Sequence, residues 1–478
     1  MGVILTIIRR EFTDWWRDGR LRWLAGGCIL LLLSVALLGW QSTIAVVDAR
    51  SAAIEQETEN FLNQGAKNPH AAAHFGQYAF RPTLLPAAID PGVDAWMGKM
   101  VWLEAHRRNL AEFRPAEDGA SHGQAVTLSV SWVLQYVVPL LLVIMGFAAV
   151  AGERDRGTLA LLVAQGLRLQ TLALGKGLAM SAAIFMLLIP VVAIVIALYA
   201  LTPTAIDTHD AGARLAWMSL GYLLYIVGFS GVVLCISMLS RSARTALFAL
   251  LIFWVSVVVL IPRLATDSAA ARHPLPAASD FWAAIKRGEG ADVVSEIPEE
   301  RAARLRESVA AELLARHGVG RIEDLPVNFT AVYLQRLEEA DAPAFDHAYG
   351  KLWAAQENQR VSRSIFGVLS PTISLREISM ALAGTDPFAL WHFGQAAEAH
   401  RRILVASLNG AQARDGAGRG FYVAPADTWQ QMPRFVYEPP LVTAVISRHA
   451  VDFILLILWA LIPMLAAWLI ARRTRIAA

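Results

Sequence analysis

Gly152-Glu153-Arg154-Asp155-Arg156-Gly157-Thr158-Leu159, running on through Gly166 and Arg168 to Gly175-Lys176, is the stretch on which the reading of this 478-residue chain turns. It lies between two apolar runs, residues 132–151 and 178–201. A charged side chain at the centre of a bilayer costs roughly 2.5 to 3.5 kcal/mol on insertion scales, so the Glu-Arg-Asp-Arg cluster marks a boundary with water. One membrane helix leaves the bilayer here and the next one enters it. Between Gly157 and Gly166, Thr158 to Gln165 read as a short apolar helix capped at both ends. Asp155 suits its positive end, while Arg168 and Lys176 lie past the other. The segment is built to lie across a surface.

Working outward, the whole chain has a membrane composition: 56% apolar, 17% charged, with a mean hydropathy of +0.44. Five further runs approach the roughly 20 residues needed to cross a bilayer. With residues 132–151 they give spans at 23–40, 132–151, 178–201, 215–239, 245–261 and 450–471, an even number that puts both ends of the chain on one side. Pro139 is tolerated as a kink where neighbouring helices satisfy the freed carbonyl. The basic residues then fall together: Arg9, Arg10, Arg17, Arg20 and Arg22; Arg154, Arg156, Arg168 and Lys176; Arg241 and Arg244; Arg472, Arg473 and Arg475. By the positive-inside rule that face is cytoplasmic, and the loop at 202–214, with Arg214 alone, is outside.

Residues 1–22 place Val3, Ile4, Ile7, Ile8, Phe12, Trp15 and Trp16 at helical spacing against Arg9, Arg10, Glu11, Asp14 and Arg17, which reads as an amphipathic interfacial helix. Two long polar segments, 41–131 and 263–448, fall outside the cell interior. The first shows helical patterns at 44–62 and 93–113 around a Pro- and Gly-rich loop at 68–92; the second shows them at 299–317, 329–337, 345–359 and 387–408. A Gly-rich break at 409–420 precedes 421–436, a strand pair or a loop. The expected fold is therefore an all-α integral membrane protein: six transmembrane helices, an N-terminal amphipathic helix, and a mainly helical extracytoplasmic domain at 263–448 with 41–131 packed against it.

Several chemistries are disfavoured. A net charge of +2 without a basic tract argues against nucleic acid. Cys28 and Cys235 both sit in apolar runs, so neither a disulfide framework nor a thiolate metal site is expected. There is no Gly-x-x-x-x-Gly-Lys-Ser/Thr phosphate loop, no Gly-x-Ser-x-Gly elbow and no His-Glu-x-x-His pair. His70 and His74 are spaced to share a helix face, and His392 and His400 lie on the helix at 387–408; either pair could bind a metal, but a metal site takes three or four ligands, so both read as satisfied or solvent-facing. Asp452, near the end of the last span, is expected to pair with Arg448 or to face water. Gly221, Gly228 and Gly231 permit close helix approach, within the chain or between two copies.

The order Glu-x-x-x-Gly-Thr-Leu, then Gly, Arg and Gly-Lys, resembles the first cytoplasmic loop of the export-type permeases of ATP-binding-cassette (ABC) transporters, the type-2 ABC family. The matching residues are Glu153, Gly157, Thr158, Leu159, Gly166, Arg168, Gly175 and Lys176. At Gly166-Leu167-Arg168 the chain departs from the many relatives that place Pro there. Leu369-Ser370-Pro371, Leu375-Arg376, the run from Ser379 to Asp386, His392-Phe393, Ala397-Glu398 and Arg401 resemble a bacterial subgroup of that family with a large extracytoplasmic insert of unknown function.

The resemblance implies that 152–177 is a coupling loop docking on a separate ABC ATPase subunit through Glu153, Arg154, Asp155, Arg156, Gly157, Thr158, Leu159, Gly166, Arg168 and Lys176. It implies a non-enzymatic permease subunit that binds no cofactor itself, ATP and Mg²⁺ being held by the ATPase. The implied partners are a second permease copy or paralogue and membrane lipid. The implied setting is the bacterial inner membrane with both termini cytoplasmic, and the implied activity is export or extraction of a substrate. The rival reading is a non-transporting membrane scaffold or sensor whose outer domain binds a ligand or protein.

Overall fold

Among the residues that the computed structural model describes, six helices are long and apolar enough to cross a membrane: Arg22–Leu62, Val130–Asp155, Leu169–Leu198, Ala211–Leu239, Ala243–Arg272 and Ala450–Arg473. The structure describes residues 2–112, 128–200, 210–290 and 298–473. Residue 113, most of the 202–214 loop and Arg475 lie outside them, as does the side chain of Arg20. The protein is an all-α membrane protein, with one small sheet among the described residues.

Helix α1 (Gly2–Arg17) ends at Gly19, whose φ of 82° turns the chain into α2 (Arg20–Leu62). At 1.5 Å per residue the 43-residue α2 is about 64 Å long, twice the hydrocarbon thickness. Its far end carries Phe61 into an extramembrane core with Leu404, Leu408 and Trp429. Then come α3 (Pro69–Phe75), β1 (Gln77–Phe80), β2 (Met100–Glu104), β3 (Arg107–Arg108) and α4 (residues 130–146), the second span, which contains a π turn at Val133–Val137. Short helices α5 (Ala151–Asp155) and α6 (Thr158–Ala164) lead to α7 (Leu169–Ala200), α8 (Ala211–Leu239) and α9 (residues 243–272). The extramembrane helices are α10 (Ala278–Lys286), α11 (Pro298–His317), α12 (Phe329–Ile365), α13 (Pro371–Ala383) and α14 (Pro387–Asp415). Helix α15 (Val442–Arg448) precedes the last span, α16 (Ala450–Arg473).

Residues 93–112, the described part of the 93–113 pattern, are not a helix. After a 3₁₀ turn at Asp94–Trp96 they form β2 and β3, with β1 antiparallel to β2 in the register Tyr78↔Trp102. The period is two: Val101 and Leu103 are buried beside Phe393 and Ala397, while Trp102 packs on Tyr78 from the other face. Residues 421–436 hold a 3₁₀ helix, Ala426–Gln431, and a single bridge from Ala424 to Lys67 rather than a strand pair. Helix α14 continues to Asp415, through the first half of the expected break. The patterns at 329–337 and 345–359 are one helix, α12, which passes through Pro343.

Helix α13 is the keystone between bundle and domain: every residue in it except Arg376 is buried. Its Thr372 and Ser379 hydroxyls meet the Tyr225 and Tyr222 hydroxyls of α8 at 3.0 and 3.1 Å. Tyr225 in turn donates to the Gln135 carbonyl at 2.8 Å, inside the π turn of α4, where the ladder leaves acceptors available. The run that carries the subgroup resemblance is thus largely an interior one.

Next to the sheet, Asp94 receives Arg81 and Lys99 together. Burial pushes its carboxyl pKa up, but the two cations outweigh burial and hold it below the ordinary 3.8. A depressed folded pKa gives stability that is complete above 3.8 and is lost as pH falls through the folded value. Asp94→Asn is expected to cost about 2 kcal/mol at neutral pH, the scale of hydrogen bonds to charged groups. The gap in melting temperature between Asp94→Asn and wild type should shrink below pH 4; a gap independent of pH would remove this role.

Candidate functional site

The loop between the second and third spans is built around a buried ion cluster. Helix α5 presents Glu153 inward, 3% exposed, and Lys176 from the second turn of α7 is equally buried. Lys176 Nζ donates to Glu153 Oε1 at 3.3 Å and to Glu11 Oε1 of α1 at 2.5 Å. Arg156, largely exposed, lies 3.4 Å from the same Glu153 oxygen. Thr158 Oγ1 donates to the Glu153 carbonyl at 3.1 Å and contacts its carboxylate. Glu153, Arg156, Thr158 and Lys176 are therefore brought into one cluster.

The two glycines do what their positions require. Gly157 (φ 71°) and Gly166 (φ 86°) are left-handed, which lets the chain reverse at each end of α6 without a Cβ clash. Between them Leu159 points into the bundle, 3% exposed, whereas Leu161 is 63% exposed and Ala160, Ala164 and Gln165 share its outward side. Arg168 is exposed beyond the helix end. At Gly175 an added Cβ would come within 2.8 Å of Ile7, so this glycine lets α1 lie directly on α7.

Arg154 and Asp155 turn the other way, to the bend between α8 and α9. Arg154 donates to the carbonyls of Ser240 and of Met238, the latter at 3.0 Å, and Asp155 accepts from the Ala243 amide at 2.8 Å. Ser237 on α8 caps the start of α5, accepting from the Val150 and Ala151 amides at 3.0 and 3.1 Å. The loop is thereby tied to α1, α7, α8 and α9 at once. Sequence reasoning missed Glu11 and Ser237. Glu11 had a signal, since it stands four residues from both Ile7 and Trp15 and so on the buried stripe of α1.

Other candidates are distributed differently. His392 Nδ1 meets the Tyr437 hydroxyl at 2.9 Å and His400 Nε2 meets Gln77 Nε2 at 3.1 Å, so these two rings have separate partners. Asp452 does not pair with Arg448, which goes to Glu357. It lies 3.0 Å from His449 Nδ1 and 3.9 Å from Arg360 Nη1 instead, because α12 brings its own cation to the start of α16. Gly228 and Gly231 of α8 are used inside the chain, against Trp459 and Pro463 of α16. A cavity of about 650 Å³ opens where bundle meets domain, lined by Trp96, Trp132, Gln135, Tyr136, Trp254 and Arg376 among others.

These features define a class: a polytopic helical membrane protein whose spans converge on one ion-locked loop, with a large domain seated on the bundle. The sequence profile of the ABC-2 family transporter proteins matches residues 5–280, more than half of the chain, and the chain belongs to that family. A second profile, a domain of unknown function (DUF3526), matches residues 278–438, from α10 to the end of the extramembrane helices. No curated protein matches the chain. The permease role follows from the family; its members are membrane subunits.

Proposed function

We propose that the chain is the membrane subunit of an exporter or extractor driven by a separate ATPase, and that α6 is the element the ATPase pushes. The observation that carries this is the division of labour within 153–176. Glu153, Lys176 and Glu11 make the loop rigid from within, while Leu161 and its neighbours present an apolar knob outward. An exposed apolar side chain on a rigid mount is how a protein surface offers a pocket-filling anchor to a partner. A displacement of α6 would reach α1, α7, α8 and α9 together, because each is bonded to the loop.

In this reading the loop and both termini face the cytoplasm of a bacterial inner membrane, ATP and Mg²⁺ stay on the ATPase, and a second permease copy or paralogue completes the pathway. Helix α1, with Trp16 and Val3 exposed beside its arginines, lies in the lipid interface. The aromatic cavity at the junction of bundle and domain receives the substrate.

Leu161→Arg tests the docking without touching the ion cluster. Co-expressed with a candidate ABC ATPase that wild type retains, the variant should fold and insert as wild type does but co-purify at least tenfold less ATPase, the scale of one buried anchor. Undiminished association and undiminished stimulation of ATP hydrolysis would remove α6 from the interface.

A further inference from the structure

His106 is the third imidazole that the sequence pairs lacked. His70 and His74 stand one turn apart on α3, and the β2–β3 turn brings His106 over them, with ring centroids 4.8 to 5.3 Å apart and one ligand atom from each ring within 4.8 Å of the others. His106 is held there in a left-handed conformation, φ 63°, one of two non-glycine residues with positive φ among those described. The turn is thus committed to aiming this ring.

The proton positions give the cluster its meaning. Asn409, 1% exposed, donates its amide nitrogen to Gln335 Oε1 at 3.1 Å, which fixes its oxygen toward His70 Nδ1 at 3.3 Å. His70 therefore carries its proton on Nδ1. Glu338 Oε1 accepts from the His106 backbone amide and lies 3.0 Å from His106 Nδ1, and Arg401 holds its other oxygen at 3.0 Å, so a fixed carboxylate stands beside Nδ1 and favours the proton there. Both Nε2 atoms then present lone pairs, and they face each other at 3.2 Å. Two lone pairs at that distance repel unless a cation lies between them.

A tetrahedral ion with metal–nitrogen bonds of 2.0 to 2.1 Å separates its ligand nitrogens by about 3.3 Å. The orienting pair, a carboxylate on one ring and an amide oxygen on the other, is the arrangement that fixes metal-bound imidazoles. We propose that His70, His74 and His106 bind one divalent transition-metal ion of the zinc class, with Glu338 and Asn409 as positioning residues and a fourth position open on the exposed His74 side. Imidazole donors without thiolate or carboxylate in contact suit zinc, copper or nickel rather than calcium or magnesium. The ligands come from the ABC-2 match and their positioning residues from the DUF3526 match, so the ion would pin the two regions together. This inference does not depend on the ATPase reading.

The test uses the full-length protein in detergent, stripped with EDTA and then equilibrated with zinc chloride. Elemental analysis should give one zinc per chain, and cobalt(II) in its place should show the visible absorption of a four-coordinate ion. Zinc should raise the melting temperature of wild type. His106→Gly keeps the left-handed turn, and His74→Ala changes an exposed side chain, so both should fold; each should lose at least tenfold in zinc affinity and the rise in melting temperature. His400→Ala should bind as wild type does. Fewer than 0.2 zinc per wild-type chain, a threshold of roughly one ion in five sites, or wild-type affinity in His106→Gly, would overturn the assignment.

Discussion

Lys176→Met is expected to destabilise the protein by about 3 to 5 kcal/mol, the cost of removing one partner from a buried ion cluster. Among the described residues, Lys176 is the only cation at hydrogen-bonding distance from both Glu11 and Glu153. Without it two buried carboxylates face each other, and Arg156, 61% exposed, reaches only Glu153. Glu11→Gln leaves the Glu153–Lys176 pair intact and should cost roughly 1 kcal/mol, that of one hydrogen bond. The order matters more than either value. If the pair were a surface ornament, both variants would lie within about 1 kcal/mol of wild type. Detergent-solubilised protein titrated with denaturant, or followed by melting temperature, reads the difference. Combining Lys176→Met with Glu11→Gln should recover part of the loss, because the second change removes one of the two stranded charges; strict additivity would mean that the residues do not interact.

What the sequence disclosed follows from which constraints are local. The bilayer demands apolar runs of a set length, so all six spans, and the charged turn at 152–157 between two of them, are visible without any tertiary information. Gly157 and Gly166 are legible for the same reason, since a left-handed turn is a property of one residue. Residues 93–113 were not, because β2 and β3 are too short for an alternating pattern to outweigh apolar spacings that also suit a helix. Their identity rests on Gln77–Phe80, twenty residues away, with which β2 pairs. The same non-locality hid the functional clusters. Glu11 meets Lys176 across 165 residues and His106 meets Glu338 across 232. Single-sequence spacing finds His70 and His74 because a helix puts them together; it has no means of finding the turn that supplies the third ring. Leu159 and Leu161 illustrate a further limit, as they are chemically identical and two positions apart, yet one is inside and the other outside.

Gly228→Val is the second large effect, expected to cost about 3 kcal/mol or more, at the upper end of overpacking. A Cβ at Gly228 would lie 2.6 Å from the Trp459 carbonyl oxygen and 3.0 Å from its carbon. Those are backbone atoms of α16, which cannot rotate away, so α8 and α16 would have to separate along the most extensive helix–helix contact among the described residues. One turn on, a Cβ added at Gly231 would lie 2.9 Å from the Met464 amide nitrogen, so α8 has no slack there to relieve the strain. In a membrane such glycines are worth more than their helix propensity suggests, because helix association relies on close backbone approach rather than on hydrophobic exclusion. Gly221→Ala, on the same helix, separates that account from a general intolerance of change. Its nearest neighbours are the side-chain ends of Leu375 and Ile378 at 3.4 and 3.9 Å, which can shift, so it should be within about 1 kcal/mol of wild type. Gly350→Ala, in α12 with nothing within 4 Å, should stabilise by about 1 kcal/mol through helix propensity alone. If Gly228→Val melted no lower than Gly221→Ala, the packing of α8 on α16 could not be the contact that holds the last span, and with it the seat of α13, in place.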